Sequence, residues 1–102
     1  AYVVVVMEED PRQHTWDEDY AAVSALIQNF QLAGWERGIG MLWNTNKHIY
    51  SPAIREELGV VAGEKIVGIM QVGYPAHIPA AWDRTEVKEK LTVFTKKNFN
   101  EQ

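Results

Sequence analysis

The sequence predicts part of a three-layer α/β or α+β domain. Two β-branched apolar runs, at residues 2–7 and 66–72, have the composition of strands, and a long helical pattern lies between them. Sheets that are covered by helices show this alternation of continuous apolar runs and helical segments. We therefore expect a partial domain with two buried strands, one long central helix, one short helix and an extended C-terminal tail.

The first predicted strand begins at the start of the chain. Residues 2–7 (YVVVVM) are continuously apolar, which predicts burial on both faces, and residues 8–11 (EEDP) end the run with charge and a proline. Natural N-termini seldom lie inside a β-branched run. We expect residues to precede Ala1, so that 1–102 form the C-terminal portion of a single larger domain.

The long helix is predicted from about Thr15 to Arg37. Thr15 and Glu18 have the spacing of a capping box, which makes Thr15 the expected N-cap, and Gly38 can supply the left-handed residue after the helix. One face is apolar at helical spacing, at Val23, Leu26, Ile27 and Phe30. A second face is small or apolar, at Ala21, Ala25, Leu32 and Trp35. Two apolar faces on one helix of a small domain predict contact with another subunit.

The second half of the chain has clear start and stop signals. Ser51 and Pro52 have the types preferred at the N-cap and first position of a helix, and Gly59 ends that short helix. A turn at residues 63–65 precedes the second strand. Residues 74–85 contain two prolines and predict extended chain, whereas residues 86–92 suit either one or two helical turns or extended structure.

Composition excludes several function classes. The net charge of −4 argues against a general nucleic-acid binder, and no apolar run has the ~20 residues that a membrane span requires. There is no cysteine, which suits a reducing cytoplasm and rules out thiolate chemistry. The three histidines are far apart in sequence, so no metal site is predicted.

No side chain is predicted to be catalytic. Gly38 and Gly40 lack the third glycine of a dinucleotide-binding turn and follow a helix instead of a strand, and Ser24 has no nucleophile-elbow motif around it. Residues 43–46 (WNTN) allow two interpretations. They could be a surface loop in which Trp43 packs inward and the asparagines make turns, or a segment whose backbone N–H groups face a flat, polar ligand edge.

Residues 21–38 (AAVSALIQNFQLAGWERG) resemble the central helix of the FMN-dependent nitroreductase family. The positions that match the family pattern are Ala22, Ala25, Gln28, Asn29, Leu32, Ala33, Gly34, Gly38 and Gly40. Three further motifs of the family follow in order, at residues 51–52 (SP), 57–60 (ELGV) and 67–75 (VGIMQVGYP). The resemblance covers about residues 2–85.

The resemblance implies a homodimer with FMN at the subunit interface and the long helix in the dimer core. It implies that the N–H groups of Thr45 and Asn46 bond the N5 and O4 edge of the flavin, with Trp43 and Asn44 lining the same loop. It also implies that Arg84 binds the FMN phosphate, although Trp82 replaces a lysine that relatives often have two residues earlier.

The implied activity is NAD(P)H-dependent reduction of nitroaromatics, quinones or similar acceptors by ping-pong hydride transfer. Related flavin chemistry, such as dehalogenation or flavin fragmentation, and a non-catalytic dimerising fragment without flavin are the alternatives. The N-terminal segment with which relatives grip the FMN phosphate has no counterpart in residues 1–102. We therefore expect this polypeptide alone to be inactive and to bind FMN more weakly than sub-micromolar affinity.

Overall fold

A three-stranded antiparallel sheet with a long helix against one face forms the body of the molecule. The computed structural model describes residues 1–96. In chain order the elements are β1 (Tyr2–Glu8), α1 (Gln13–Glu36), β2 (Gly40–Asn44), a 3-10 helix (Lys47–Tyr50), α2 (Pro52–Glu57), β3 (Glu64–Gly73) and α3 (Val87–Lys90). The mixed α+β class expected from the sequence is confirmed.

The sheet has the strand order β1-β3-β2, and both outer strands run antiparallel to β3. The sequence patterns predicted β1 and β3 but not β2, because its five residues begin with a glycine and end in the polar WNTN segment. One irregularity interrupts the pairing of β1 with β3. Val5 pairs with Gly68 and Val6 pairs with Ile66, so Val67 is the extra residue of a β-bulge.

Burial differs between the strands because β3 is central and β1 is an edge strand. In β3, the side chains of Ile66, Val67 and Met70 are almost completely buried. In β1 only Met7 is buried, and Tyr2 is 69% exposed. Within residues 1–96, the prediction that β1 is buried on both faces is therefore wrong, whereas the prediction for β3 is confirmed.

Helix α1 begins earlier than the capping-box pattern predicted. Its N-cap is Arg12, with no side-chain capping bond, so Thr15 lies inside the helix and the predicted capping role is wrong. The chain turns into the helix through Asp10, whose carboxylate accepts the Arg12 N–H at 2.9 Å and also binds the Arg12 guanidinium. The predicted helix end is confirmed, since α1 stops at Glu36 and Gly38 has a φ of +77°.

Two small clusters of buried residues lie on opposite faces of the sheet. The cluster under α1 joins Met7, Ile27, Val67 and Met70. The other cluster joins Ile49, Val60 and Ile66, and the 3-10 helix and the segment before β3 contribute to it. The sheet is thus covered on both faces, by α1 on one and by the 3-10 helix region on the other, which is the three-layer arrangement expected.

The segment after β3 is exposed throughout residues 74–96 and contains the single turn of helix α3. This confirms the extended stretch predicted for residues 74–85 and the helical option for residues 86–92. The predicted tail after Lys96 lies outside the described residues. Within the described part of the chain, no helix combines the length and the hydropathy that crossing a bilayer demands.

Candidate functional site

Residues 43–46 lie where β2 ends and the chain turns into the 3-10 helix. Trp43 and Asn44 are the last two residues of β2 and pair with Met70 and Ile69 of β3. Thr45 and Asn46 follow outside the strand and are exposed. The expected loop is therefore two residues shorter than predicted, because its first half is strand.

Trp43 anchors the end of β2 against the central strand. Its indole N–H donates to the backbone carbonyl of Val67 at 3.2 Å, and its ring packs against the buried cluster under α1. Val67 is the bulge residue, and its carbonyl lies past the last residue pair between β2 and β3. The indole therefore satisfies an acceptor that the β2 backbone does not reach.

Gly68 makes room for this ring. A Cβ atom at position 68 would lie 2.5 Å from Nε1 and 2.6 Å from Cδ1 of Trp43, which no real side chain tolerates. Sequence reasoning missed Val67 and Gly68 as parts of the site. The signal was present, because an isolated glycine inside an apolar strand pattern is typical of a bulge or of a close approach by another group.

Two asparagine side chains shape the turn that follows. The Asn44 Oδ1 atom accepts the N–H of Asn46 at 3.0 Å, and the Asn46 Oδ1 atom accepts the N–H of His48 at 2.9 Å. The second bond caps the 3-10 helix. These are the turn-forming roles expected of asparagine in one of the two sequence interpretations, and they hold residues 44–48 in one defined bend.

This bend leaves one main-chain donor of residues 44–46 without an acceptor in the described part of the chain. Within residues 1–96 no group accepts the Thr45 N–H, and the residues at 44–46 are small, polar and uncharged, with Lys47 as the next side chain. An isoalloxazine ring presents acceptors along one edge, at N5 and O4, and the chemistry of an exposed main-chain N–H fits that edge. Trp43 lies behind the bend and closes it from the core side.

Arg84, the other predicted cofactor ligand, lies in the exposed segment after β3. Among the described residues it forms no hydrogen bond or ion pair, and nothing joins it to residues 43–46. Trp82, two residues earlier, is 90% exposed. The structure thus brings Trp43, Asn44, Thr45 and Asn46 together and leaves Arg84 apart from them.

No metal centre accompanies this bend in the described part of the chain. Residues 1–96 contain no cluster of three or more His, Cys, Asp or Glu side chains with the geometry to hold an ion. The sheet, the helix α1 packed on it and the polar bend after β2 together form an α+β unit with an exposed main-chain donor at residue 45.

Comparison with known proteins agrees with this class. The sequence model of the Nitroreductase family matches residues 1–74, so the chain belongs to the Nitroreductase family. YfhC of Bacillus subtilis (strain 168), named as an NAD(P)H nitroreductase, is 38% identical over 91 residues, which are 89% of this chain and 47% of YfhC. YdjA of Escherichia coli (strain K12), named in the same way, is 32% identical over 73 residues, which are 72% of this chain and 39% of YdjA.

Solved structures show the same fold. The nitroreductase-like family protein from Bacillus cereus superposes with a TM-score of 0.85 at 45% identity, over 91% of this chain and 50% of that one. An FMN-dependent nitroreductase from Clostridium difficile R20291 superposes with a TM-score of 0.66 at 22% identity, over 93% of this chain and 57% of that one, which supports the fold alone. The chain spans about half the length of the relatives that it matches.

Proposed function

We propose that the protein carrying this chain is an FMN-dependent NAD(P)H oxidoreductase that reduces nitroaromatics, quinones or similar acceptors. Membership of the Nitroreductase family supports the general oxidoreductase activity. The observation that carries the flavin assignment is the bend at residues 44–46, which turns an unbonded main-chain donor outward beside a core-anchored tryptophan. The absence of cysteine supports a reducing compartment, and we propose the cytoplasm.

In this proposal the residues of the chain bind and orient the cofactor. The main-chain N–H of Thr45 bonds the N5 and O4 edge, Trp43, Asn44 and Asn46 hold the bend, and Arg84 supplies one of the charges for the phosphate. FMN supplies the hydride-transfer chemistry when it is bound. Main-chain donors at that edge stabilise the negative charge of a reduced flavin, because their dipoles are fixed by the fold before the charge develops.

We also propose that the protein is a homodimer that uses α1 at its interface. On the second apolar face of α1, the side chains of Leu32 and Trp35 are 58% and 51% exposed, although α1 packs on the sheet through Ile27 and Gly34. Leu26, which the sequence pattern placed on the first face, is also exposed, at 57%. A groove of about 250 Å³ runs beside this face, lined by Gln28, Gln31, Leu32, Trp35, Ile39 and Met41. Apolar surface of this extent supports a partner helix as its cover.

The test of the function uses the protein as produced from its natural gene. We expect it to retain FMN through purification and to oxidise NADH or NADPH only when an acceptor such as nitrofurazone is present. Oxidation that depends on a halogenated substrate instead would favour a dehalogenase. A colourless protein that binds no added FMN would contradict the proposal and favour the non-catalytic dimerising alternative.

A further inference from the structure

Several backbone N–H groups of the bend after β2 are already hydrogen-bonded within the chain. The Asn46 N–H is already bonded to the Asn44 carboxamide at 3.0 Å, and the His48 N–H is bonded to the Asn46 carboxamide at 2.9 Å. The Ile49 N–H bonds the Asn46 carbonyl at 3.2 Å. Of the two donors expected from the family resemblance, Thr45 and Asn46, only Thr45 has an N–H without an acceptor in residues 1–96.

The ladder of β3 shows where the Thr45 N–H lies. Val72 exchanges both of its backbone bonds with Ala1, on the β1 side. Alternate residues of a strand bond to opposite neighbours, so Ile69, three residues away, bonds towards β2, where its partner is Asn44. The Asn44 N–H therefore faces β3. The N–H of Thr45, the next residue, lies on the open side of β2, away from the sheet.

Trp43 fixes the bend from the other side. Its indole bond to the Val67 carbonyl and its fit over Gly68 define how far β2 extends along β3. The Asn44 carboxamide then determines the conformation of the two residues that follow. Without that bond the N–H of Asn46 would be a second free donor, and the bend would lose the constraint that keeps Thr45 in place.

We propose that Asn44 is a positioning residue. Its carboxamide holds the Asn46 N–H and so leaves the Thr45 N–H as the one main-chain donor of residues 44–46 that faces the N5 and O4 edge of the flavin. This role rests on the proposed function, because it requires FMN at the bend. Asn44 acts through Thr45 and is itself not expected to touch the reacting atoms.

The geometry of the bend can be tested without FMN. In ¹⁵N-labelled protein, we expect the Asn46 amide to show the small temperature coefficient of a bonded N–H and the Thr45 amide to show the large coefficient of an exposed one. Asn44→Ala should make the Asn46 amide behave like an exposed one. Asn44→Ser keeps an acceptor that forms the same kind of turn and should restore the small coefficient. Equal coefficients at Asn46 in wild type and Asn44→Ala would overturn the proposal.

The role towards FMN is tested by titration, with amide shifts and with affinities for oxidised and reduced FMN measured anaerobically. We expect the Thr45 amide to shift on FMN addition. Asn44→Ala should weaken binding of reduced FMN about tenfold, the worth of one hydrogen bond to a charged group, and weaken oxidised FMN less. Asn44→Ser should remain close to wild type. A merely structural defect would weaken both redox forms equally, and that outcome would overturn the proposal.

The outcomes also separate this proposal from the proposed function. FMN-dependent shifts at Asn46 or elsewhere with an unchanged Thr45 amide would overturn the role of Asn44 and leave the flavin assignment intact. No FMN-dependent shift at any concentration would overturn both. The titration therefore uses the protein as produced from its natural gene, freed of bound FMN, so that a failure to bind is a property of that protein and not of residues 1–102 alone.

Discussion

The packing of the Trp43 ring against β3 depends on Gly68. A methyl group at this position would overlap the indole, so either the ring of Trp43 or the buried backbone of β3 would have to shift. We expect Gly68→Ala to lower the free energy of unfolding by about 1–3 kcal/mol, the usual cost of overpacking, measured by urea denaturation.

Gly73 is the matched control for this change. It lies on the same strand, its φ is not positive, and a Cβ there would meet nothing within 4 Å. Gly73→Ala should leave the urea midpoint unchanged or raise it slightly. Equal destabilisation by the two changes would show that the strand resists any side chain and that the indole contact is not the cause.

A second prediction at this scale concerns Asp10. Hydrogen bonds from the Arg12 side chain and then from the Arg12 N–H lower the pKa of Asp10 below its ordinary 3.8. A lowered pKa in the folded state contributes stability above the ordinary pKa, and that contribution is lost as the pH falls through the lowered value. Asp10 is half-buried but its partner Arg12 is exposed to solvent, so the contribution is screened.

The measurement is a carboxyl titration of Asp10 by NMR. We expect a midpoint below 3.8 in the wild type, and Arg12→Gln should move the midpoint back towards that value by removing the charged donor. The backbone bond from residue 12 remains in the variant, so the return should be incomplete. A midpoint unchanged by Arg12→Gln would contradict the assignment of the shift to the guanidinium.

At the scale of elements, the two predicted helix caps had opposite outcomes. Ser51 caps α2 as predicted, accepting the Ile54 N–H at 3.5 Å, whereas Thr15 lies within α1 and caps nothing. Ser51→Ala should therefore cost about 0.5–1 kcal/mol, at the low end for an N-cap because the bond is long. Thr15→Ala should be neutral or stabilising, because alanine has the higher helix propensity.

Both variants can be compared by thermal denaturation. The capping-box pattern at Thr15 is the stronger sequence signal, but only Ser51 forms a capping bond. Comparing the two variants therefore shows whether stability depends on the bond or on the sequence pattern. A loss of stability on Thr15→Ala as large as that on Ser51→Ala would mean that α1 begins at Thr15 in solution.

The elements that sequence could predict are those whose signals are local. The long helix, the Ser51–Pro52 start, the glycine stops and the β-branched runs depend on residues next to one another. Strand β2 could not be predicted in this way, because its five residues become a strand only by pairing with β3. The partners lie 25 to 33 residues later in the chain, from Asn44–Ile69 to Gly40–Gly73. Helix α1 begins early because the Asp10 carboxylate accepts the Arg12 N–H. The capping-box pattern at Thr15 instead predicted a later start.

The part of the candidate site that depends on neighbouring residues could be predicted, and the part that depends on strand pairing could not. Residues 43–46 were identified, and the structure confirms that Trp43 packs inward and that the asparagines make turns. The hydrogen bond from the Trp43 indole to the Val67 carbonyl at the bulge could not be predicted from residue spacing, because it depends on the register between two strands. Whether Arg84 serves the cofactor stays a prediction.

At the scale of the whole molecule, the dimer proposal makes a direct prediction. Leu32→Glu places a charge in the centre of the exposed apolar face of α1, so we expect it to shift the protein from dimer to monomer. Val61→Glu is the control, because Val61 is similarly exposed, at 62% against 58%, and lies outside α1. Sedimentation velocity at several concentrations distinguishes the two, and dissociation by both variants would point to general destabilisation.

The described chain is more extended than a compact domain of its length. Its radius of gyration is 18.7 Å, whereas a compact chain of this length has about 13 Å. The segment after β3 is exposed and carries large apolar side chains at Tyr74, Ile78, Trp82, Val87 and Leu91. What covers them could not be predicted from helix or strand patterns, because periodicity describes an element and not its neighbour.

In a sheet with the order β1-β3-β2, the edge strands β1 and β2 each have one side whose backbone donors and acceptors face away from β3. Such edges can pair with a strand of another chain, including a second copy of this one, and each pairing favours the folded form by mass action. A melting temperature recorded for this polypeptide is therefore a property of the solution as well as of the fold. It should rise with protein concentration, and values taken at different concentrations should not be compared.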